Sequence, residues 1–391
     1  MKKVVFLAIG MFALGFDAYI IAGLVPGISD TYQKSASQVG QAVSIFTLCY
    51  AISAPLFASL LAGKPIKKVL LTSIIIFGLA NALTAVSPNF SVFLISRAIA
   101  GVGAGLFSPL AVAGSTMLVP VEKKGRALGL TIGGMSMGTV LGVPIGLYIA
   151  DKFDWQSAMW FVVLLSLIAA ISILKFLPHV PVIAPPAMKE RLAMFLDKRV
   201  TITVLITFFA SISSLGLYTY LSPLLQDLDN SSDLTIYLWA WGLGGLFGSI
   251  TIGYLIDYFK KPKTLMALIL IILTILTISV VCIPIMINLA IIKYLPFFIW
   301  GAMGWASGAP QQHILLSYQP KHGSAAVALN SSINYLGSSV GATLGGVVIS
   351  LGMGTMALIY FAIISMIISL GLQFYSMRSN TFKIATTKKA V

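Results

Sequence analysis

Residues 59–71, SLLAGKPIKKVLL, return about half a chain later as residues 253–265, GYLIDYFKKPKTL. In both places a short basic turn separates two long apolar runs. A second echo lies beside it: the glycine ladder Gly138, Gly142, Gly146 is answered by Gly337, Gly341, Gly345. The offsets are 194 residues (59 to 253) and 199 residues (138 to 337), so one unit has been laid down twice, head to tail and in the same orientation. Two such copies in a membrane place a substrate path at the interface between them, an arrangement common among secondary transporters.

Composition points the same way. Hydrophobic residues make up 58% of the chain and charged residues 9%, with a mean hydropathy of +0.98. An ordinary soluble domain carries about 25% charged residues. The net charge of +14 does not indicate nucleic acid, because the basic residues are scattered over many short loops without a basic arm or zinc spacing. Cys49 and Cys282 both fall inside apolar runs and announce neither a disulfide framework nor a metal site.

Taking about 20 apolar residues per crossing, the chain divides into twelve spans: 4–25, 39–62, 69–87, 92–118, 126–150, 157–177, 200–225, 235–256, 264–286, 294–317, 324–351 and 355–377. The first, which contains Asp17, is read as an uncleaved helix, not a signal peptide. With a cytoplasmic N-terminus, the basic residues from Lys64, Lys67, Lys68, Lys123, Lys124 and Arg126 to Lys260, Lys261, Lys263 and the tail lie inside, and only Lys34, Lys152 and Lys293 lie outside. That asymmetry satisfies the positive-inside rule and puts both termini in the cytoplasm. The expected organisation is a six-helix bundle over 1–177, a cytoplasmic linker over 178–199, a second six-helix bundle over 200–377 and a basic cytoplasmic tail over 378–391. The linker opens on Pro178, Pro181, Pro185 and Pro186, and continues into a stretch where Leu192, Phe195 and Leu196 share one face of a short surface helix.

Four pieces, in the right spans and order, carry a resemblance over the whole chain: the basic turn after the second span; Arg97 followed by Gly101, Gly103 and Gly105; Gly138-Thr-Val-Leu-Gly-Val-Pro-Ile-Gly146; and the segment from Ala325 to Gly346 with Asn330 and Asn334. Together they resemble the major facilitator superfamily, in particular its drug:proton antiporter branch and the subgroup of sugar, arabinose and purine exporters. The resemblance implies a two-bundle, all-α membrane fold, export by proton antiport, and a charge latch at the basic turn. The family's acidic residue at that turn is replaced by Gly63 in the first copy and kept as Asp257 in the second. Asp257, with Lys67 and Lys68, is therefore the candidate latch. The fifth-span motif, Gly138, Gly142, Pro144 and Gly146, is similar to an exporter signature. Its physics is close helix approach along a face stripped of side chains, with a bend where proline removes a donor.

Asp17 is the carboxylate that falls deep inside a predicted span, where an ionisable side chain costs about 2.5–3.5 kcal/mol on insertion scales, so it is a functional candidate. Arg97 is the cation inside a span; physically it suits either holding Asp17 ionised or accepting polar substrate groups, and the resemblance assigns the matching arginine to proton coupling. Candidate cavity residues are Tyr19, Phe46, Tyr50, Met135, Met137, Tyr218, Trp239, Trp241, Trp305, Asn330, Asn334 and Tyr335, a mixture suited to apolar or amphipathic molecules. His313, beside Gln311 and Gln312, is expected to be packed near the cytoplasmic mouth.

The chain carries no phosphate-cradling G-x-x-x-x-G-K-[ST] loop, so transport is expected to run on an ion gradient or downhill. Gly134-Met-Ser-Met-Gly138 matches a nucleophile elbow in letters only, since it lies within an apolar helix. The expectation is an exporter of small organic molecules by proton antiport and alternating access, not an enzyme. It is expected to act as a monomer in a bacterial cytoplasmic membrane, with no metal or cofactor; its partners are a small-molecule substrate, protons and the lipid bilayer, and not nucleic acid. The rival readings are a proton-coupled nutrient symporter, a lipid-linked sugar flippase and, remotely, a membrane-embedded enzyme.

Overall fold

The computed structural model describes residues 1–60, 64–120, 123–178, 194–229, 234–279, 292–319 and 323–388. Its first half holds α1 (Lys2–Tyr32), α2 (Ala36–Leu60), α3 (Ile66–Ala85), α4 (Phe90–Met117), α5 and α6 (Trp155–Phe176); α5 runs as Lys124–Met137, a π turn over Gly138–Gly142, and Val143–Lys152. The second half holds α7 (Lys198–Thr219, resuming as Leu221–Asp229), α8 (Leu234–Phe259), α9 (Pro262–Ser279), α10 (Leu295–Ala306 and Gly308–Tyr318), α11 (Gly323–Ser350) and α12 (Thr355–Lys388). Eight of these, α1, α3, α4, α5, α6, α7, α8 and α12, are long and apolar enough to cross a bilayer on length and composition alone among the described residues. The fold is the expected one: all-α, twelve transmembrane helices in two six-helix bundles.

Local chemistry sets the helix starts. Side-chain oxygens at the N-caps accept from backbone amides: Asn89 from Val92 N at 3.0 Å for α4, Asp154 from Ser157 N at 2.7 Å for α6, and Asp197 from Arg199 N at 2.9 Å for α7. The π turn in α5 sits just before Pro144, whose ring nitrogen has no proton for the carbonyl of Val140; the wider turn absorbs that mismatch.

The repeat seen in the sequence becomes a repeat of packing. In the first half α1 packs on α5 and α6, α2 on α4, and α3 on α4 and α6; in the second, α7 packs on α11 and α12, α8 on α10, and α9 on α10 and α12. The two glycine ladders make the same contact. A Cβ built on Gly138 would lie 2.1 Å from the carbonyl oxygen of Phe12 in α1, and one on Gly337 would lie 2.5 Å from that of Phe208 in α7. Only glycine permits backbone approach of that kind.

Between the halves, α2 pairs with α11, and α5 with α8. At the end opposite the termini, Ser37 donates to the carbonyl of Gly346, Ser339 donates to that of Ser44 at 2.8 Å, and Tyr220 donates to Ala342 at 2.8 Å. The Tyr220 ring and hydroxyl occupy room left by Gly40, Gly345 and Gly346. The seam between the bundles is thus tightly closed at one end.

Several expectations fall on residues the structure does not describe: Gly63, Cys282, Leu192 with most of the linker (179–193), and the side chain of Asp257. What is described of the linker ends in a single turn, Met194–Leu196, with Phe195 and Leu196 exposed. The last helix runs on to Lys388, well into the segment expected as a tail. His313 is exposed instead of packed, because it lies on the face of α10 turned away from the buried Gln311.

Candidate functional site

Asp17 and Arg97 find one another. Arg97 Nη1 donates to Asp17 Oδ1 at 2.8 Å and Nη2 to Oδ2 at 3.0 Å, a two-pronged ion pair with the side chains 0% and 1% exposed. The pairing depends on the glycines that follow the arginine. A Cβ on Gly101 would sit 2.3 Å from the Phe46 carbonyl oxygen, one on Gly103 2.8 Å from Phe77 N, and one on Gly105 2.6 Å from the Tyr50 carbonyl oxygen. Without side chains there, α4 wedges between α2 and α3 and carries Arg97 within reach of α1. The guanidinium also lies over the Phe46 ring, 4.7 Å from its centroid.

A third member joins the pair, and sequence reasoning missed it. Asn81 of α3 is fully buried; its Oδ1 accepts from Arg97 Nη1 at 3.0 Å, while its Nδ2 donates to the Phe77 carbonyl at 3.0 Å. The internal bond fixes the amide orientation, so the oxygen is left for the arginine. The signal was available: an amide in the middle of an apolar run is an uncharged polar group that needs a buried partner, a wider test than the ionisable side chain that picked out Asp17. Arg97 Nε has no hydrogen-bond partner among the described residues.

One residue along α1 from Asp17, the chain meets a small cavity between the halves, about 20 Å³ in volume in this closed arrangement. Its wall includes Ala18, Tyr19 and Ala22 of α1, Val43 and Thr47 of α2, Tyr218 and Thr219 of α7, and Tyr335 and Ser338 of α11. Adjacent residues on a helix point about 100° apart, so Asp17 faces α4 behind the wall that Ala18 and Tyr19 form.

The aromatic candidates separate into groups. Tyr19 packs against Tyr218 at 5.5 Å between ring centroids, against Trp241 at 5.6 Å and against Trp305 at 6.1 Å, and Tyr218 lies 4.6 Å from Trp241. Tyr50 and Tyr335 meet across the interface with centroids 3.7 Å apart. These six residues gather at the centre. The others disperse: Phe46 serves the arginine, Met135 contributes its carbonyl under Gly15, Met137 is 40% exposed, and Trp239 is half-buried without a ring contact. Asn334 accepts from the Ser211 hydroxyl, and the Oδ1 of buried Asn330 has no partner among the described residues.

The latch residues are less connected. Lys67 is half-buried and Lys68 exposed, and neither forms an ion pair among the described residues. At the same end the second half is tied together instead. Asp197 pairs with Arg199 at 3.0 Å and accepts from Gln319 Nε2 at 3.2 Å, and Arg199 and Lys263 flank the Tyr318 ring at 5.0 and 5.3 Å. The hydrogen bond from Arg199 holds the Asp197 carboxyl below its usual range.

Two repeated six-helix bundles, with a cavity on their shared face and a buried ion pair just behind its wall, are the layout of a membrane transporter. The chain belongs to the Major Facilitator Superfamily, whose sequence profile matches residues 7–342. It is 30% identical over 347 residues to the uncharacterized MFS-type transporter YbcL of Bacillus subtilis, covering 88% of each chain. It is 29% identical over 267 residues to the chloramphenicol resistance protein of Streptomyces lividans, covering 67% of this chain and 68% of that one. The crystal structure of a D-xylose-proton symporter matches in fold, with a TM-score of 0.74 over 94% of this chain and 96% of that one at 18% identity.

Proposed function

We propose that this transporter exports small organic, amphipathic molecules from the cytoplasm in exchange for protons, with both termini in the cytoplasm of a bacterial cell and the single chain as the working unit. The observation that carries the reading is the place of Asp17: fully buried, paired with Arg97, and next in sequence to residues of the central cavity. The similarity to a protein named for chloramphenicol resistance supports export of such cargo.

The chemistry follows from the pair. With Asp17 ionised, the two charges cancel and α1 is clamped to α4. A proton on Asp17 removes one charge, leaves Arg97 held by Asn81 and Phe46, and loosens the clamp. Because Ala18 and Tyr19 are in the cavity wall, a change in the tilt of α1 alters the cargo site directly. The ladder Gly138, Gly142, Gly146 and the bend at Pro144 keep α5 seated on α1, so the movement is passed to the α5–α8 contact, where Gly242 meets Val140. Opening the α2–α11 seam then exposes the cavity to the outside, and Asp257 with Lys67 and Lys68 latches the cytoplasmic end of that state. Each state need differ by only a few kcal/mol for protonation to shift the balance.

The test is flux in proteoliposomes over a panel of amphipathic compounds, with and without an imposed proton gradient. Asp17→Asn keeps the shape and hydrogen-bonding capacity of the protonated acid but cannot titrate; it is expected to retain cargo binding and lose gradient-driven accumulation. Accumulation equal to the parent's would remove Asp17 from the coupling.

A further inference from the structure

Among the described residues, two hydrogen-bond donors in the central aromatic cluster have no partners. Tyr218 is 2% exposed and lines the cavity, yet its hydroxyl makes no hydrogen bond; Trp241, 4% exposed and 4.6 Å from it, has an indole Nε1–H in the same condition. Leaving a buried polar group orphaned is destabilising, and Trp Nε1 can only donate. Around these two lie the rings of Tyr19 and Trp305.

Charge is as informative as hydrogen bonding. Asp17 and Arg97 neutralise each other behind the wall, and no other ion pair or charged side chain lies among the described residues of the cavity. A charged ligand entering here would lose its hydration with no counter-ion to replace it. The attraction of the aromatic rings for a cation does not cover that loss.

We infer that the cavity, once the halves part to enlarge it, selects uncharged aromatic molecules carrying a hydrogen-bond acceptor, such as a carbonyl, and that Tyr218 in its wall and Trp241, packed directly behind Tyr218, are its specificity-determining donors. The inference rests on reading the cavity as the cargo site, and not on the ion to which transport is coupled. Ring faces supply contact area that any flat molecule satisfies; the two orphan donors supply the discrimination, because a ligand without an acceptor leaves them unpaired.

The experiment compares three probes with one ring system: methyl naphthyl ketone, isopropylnaphthalene and naphthyltrimethylammonium. Each is tritiated, and equilibrium binding to the full-length protein in lipid nanodiscs is measured without a gradient. The ketone is expected to bind roughly tenfold or more tightly than the other two. Tyr218→Phe and Trp241→Phe should each lower the ratio of ketone to hydrocarbon affinity by roughly three- to tenfold, the effect of one neutral hydrogen bond. Equal binding of all three, tightest binding of the ammonium, no binding of the ketone, or a ratio unchanged in both variants would each overturn the inference. The comparison on the parent protein needs no variant to fold. Loss of proton-driven flux alongside intact ketone selectivity would remove antiport and leave this inference standing; the reverse pattern would remove this inference alone.

Discussion

Gly138→Ala should cost this protein stability, although alanine is the better helix former. The added Cβ would stand 2.1 Å from the Phe12 carbonyl oxygen and 2.9 Å from both Phe12 C and Phe16 N. Contact becomes ordinary at 3.4 Å, so α1 and α5 must part by 1.3 Å, the difference between 2.1 and 3.4 Å. Every blocking atom is backbone, so no side chain can turn aside. Overpacking of a core costs about 1–3 kcal/mol, and a gap near 1 Å forfeits up to about half of each neighbouring dispersion contact, which puts this site at the upper end, near 3 kcal/mol. Replacing a mid-helix glycine returns about 0.5–1 kcal/mol, leaving a net loss of about 2 kcal/mol. Gly133→Ala, on the same helix with nothing within 4 Å, should keep only the gain. Gly337→Ala, with its obstacle at 2.5 Å, should fall between them, as should Gly142→Ala, whose obstacle is the movable Phe16 ring. Unfolding in mixed detergent micelles, followed by tryptophan fluorescence and far-ultraviolet circular dichroism, reads the order. If Gly138→Ala proves as stable as Gly133→Ala, the backbone contact between α1 and α5 does not hold the bundle together.

Removing one partner of the buried pair, as in Asp17→Ala, should destabilise by about 3–5 kcal/mol, while Asp17→Leu with Arg97→Met should recover most of that loss and still lack proton-driven flux; micellar unfolding and proteoliposome assays report the two halves of this statement. Asn81→Ala removes an acceptor from a charged donor and should cost about 1.5–3 kcal/mol, with gradient-driven flux reduced more than cargo binding at equilibrium. Asp197→Ala takes away the N-cap of α7 and should cost about 1 kcal/mol near neutral pH. Because the Asp197 carboxyl is held below its usual range, its contribution is present above the unfolded value of about 3.9 and is lost as pH falls through the lower folded value. Thermal shifts of parent and variant should therefore begin to converge below about pH 4, the unfolded carboxyl value, and meet only below the lower folded value.

The aromatic candidates illustrate how far local pattern reaches. Tyr19, Tyr50, Tyr218, Trp241, Trp305 and Tyr335 do meet at the interface, whereas Trp239, two residues from Trp241 on the same helix, does not join their ring contacts. Two residues correspond to 200° of helix rotation. Which face turns inward is set by neighbouring helices, and in a bilayer the usual cue is weak, because lipid-facing and core-facing side chains are both apolar.

Sequence alone determined the number of spans, the repeat, the likeness to a transporter family and the two charges that the membrane interior makes costly. All of these are properties along one dimension: the length of an apolar run against the thickness of a bilayer, and the recurrence of a motif at a fixed offset. Tertiary structure decided the rest. It placed Asn81, Arg97 and Asp17, from three different helices, in one hydrogen-bonded group; it showed that the glycine ladders press α5 on α1 and α11 on α7; and it left Tyr218 and Trp241 with donors unspent beside the cavity. Those facts depend on the rotation and approach of helices far apart in the chain, which side-chain volumes and close backbone contacts settle together and no single segment encodes.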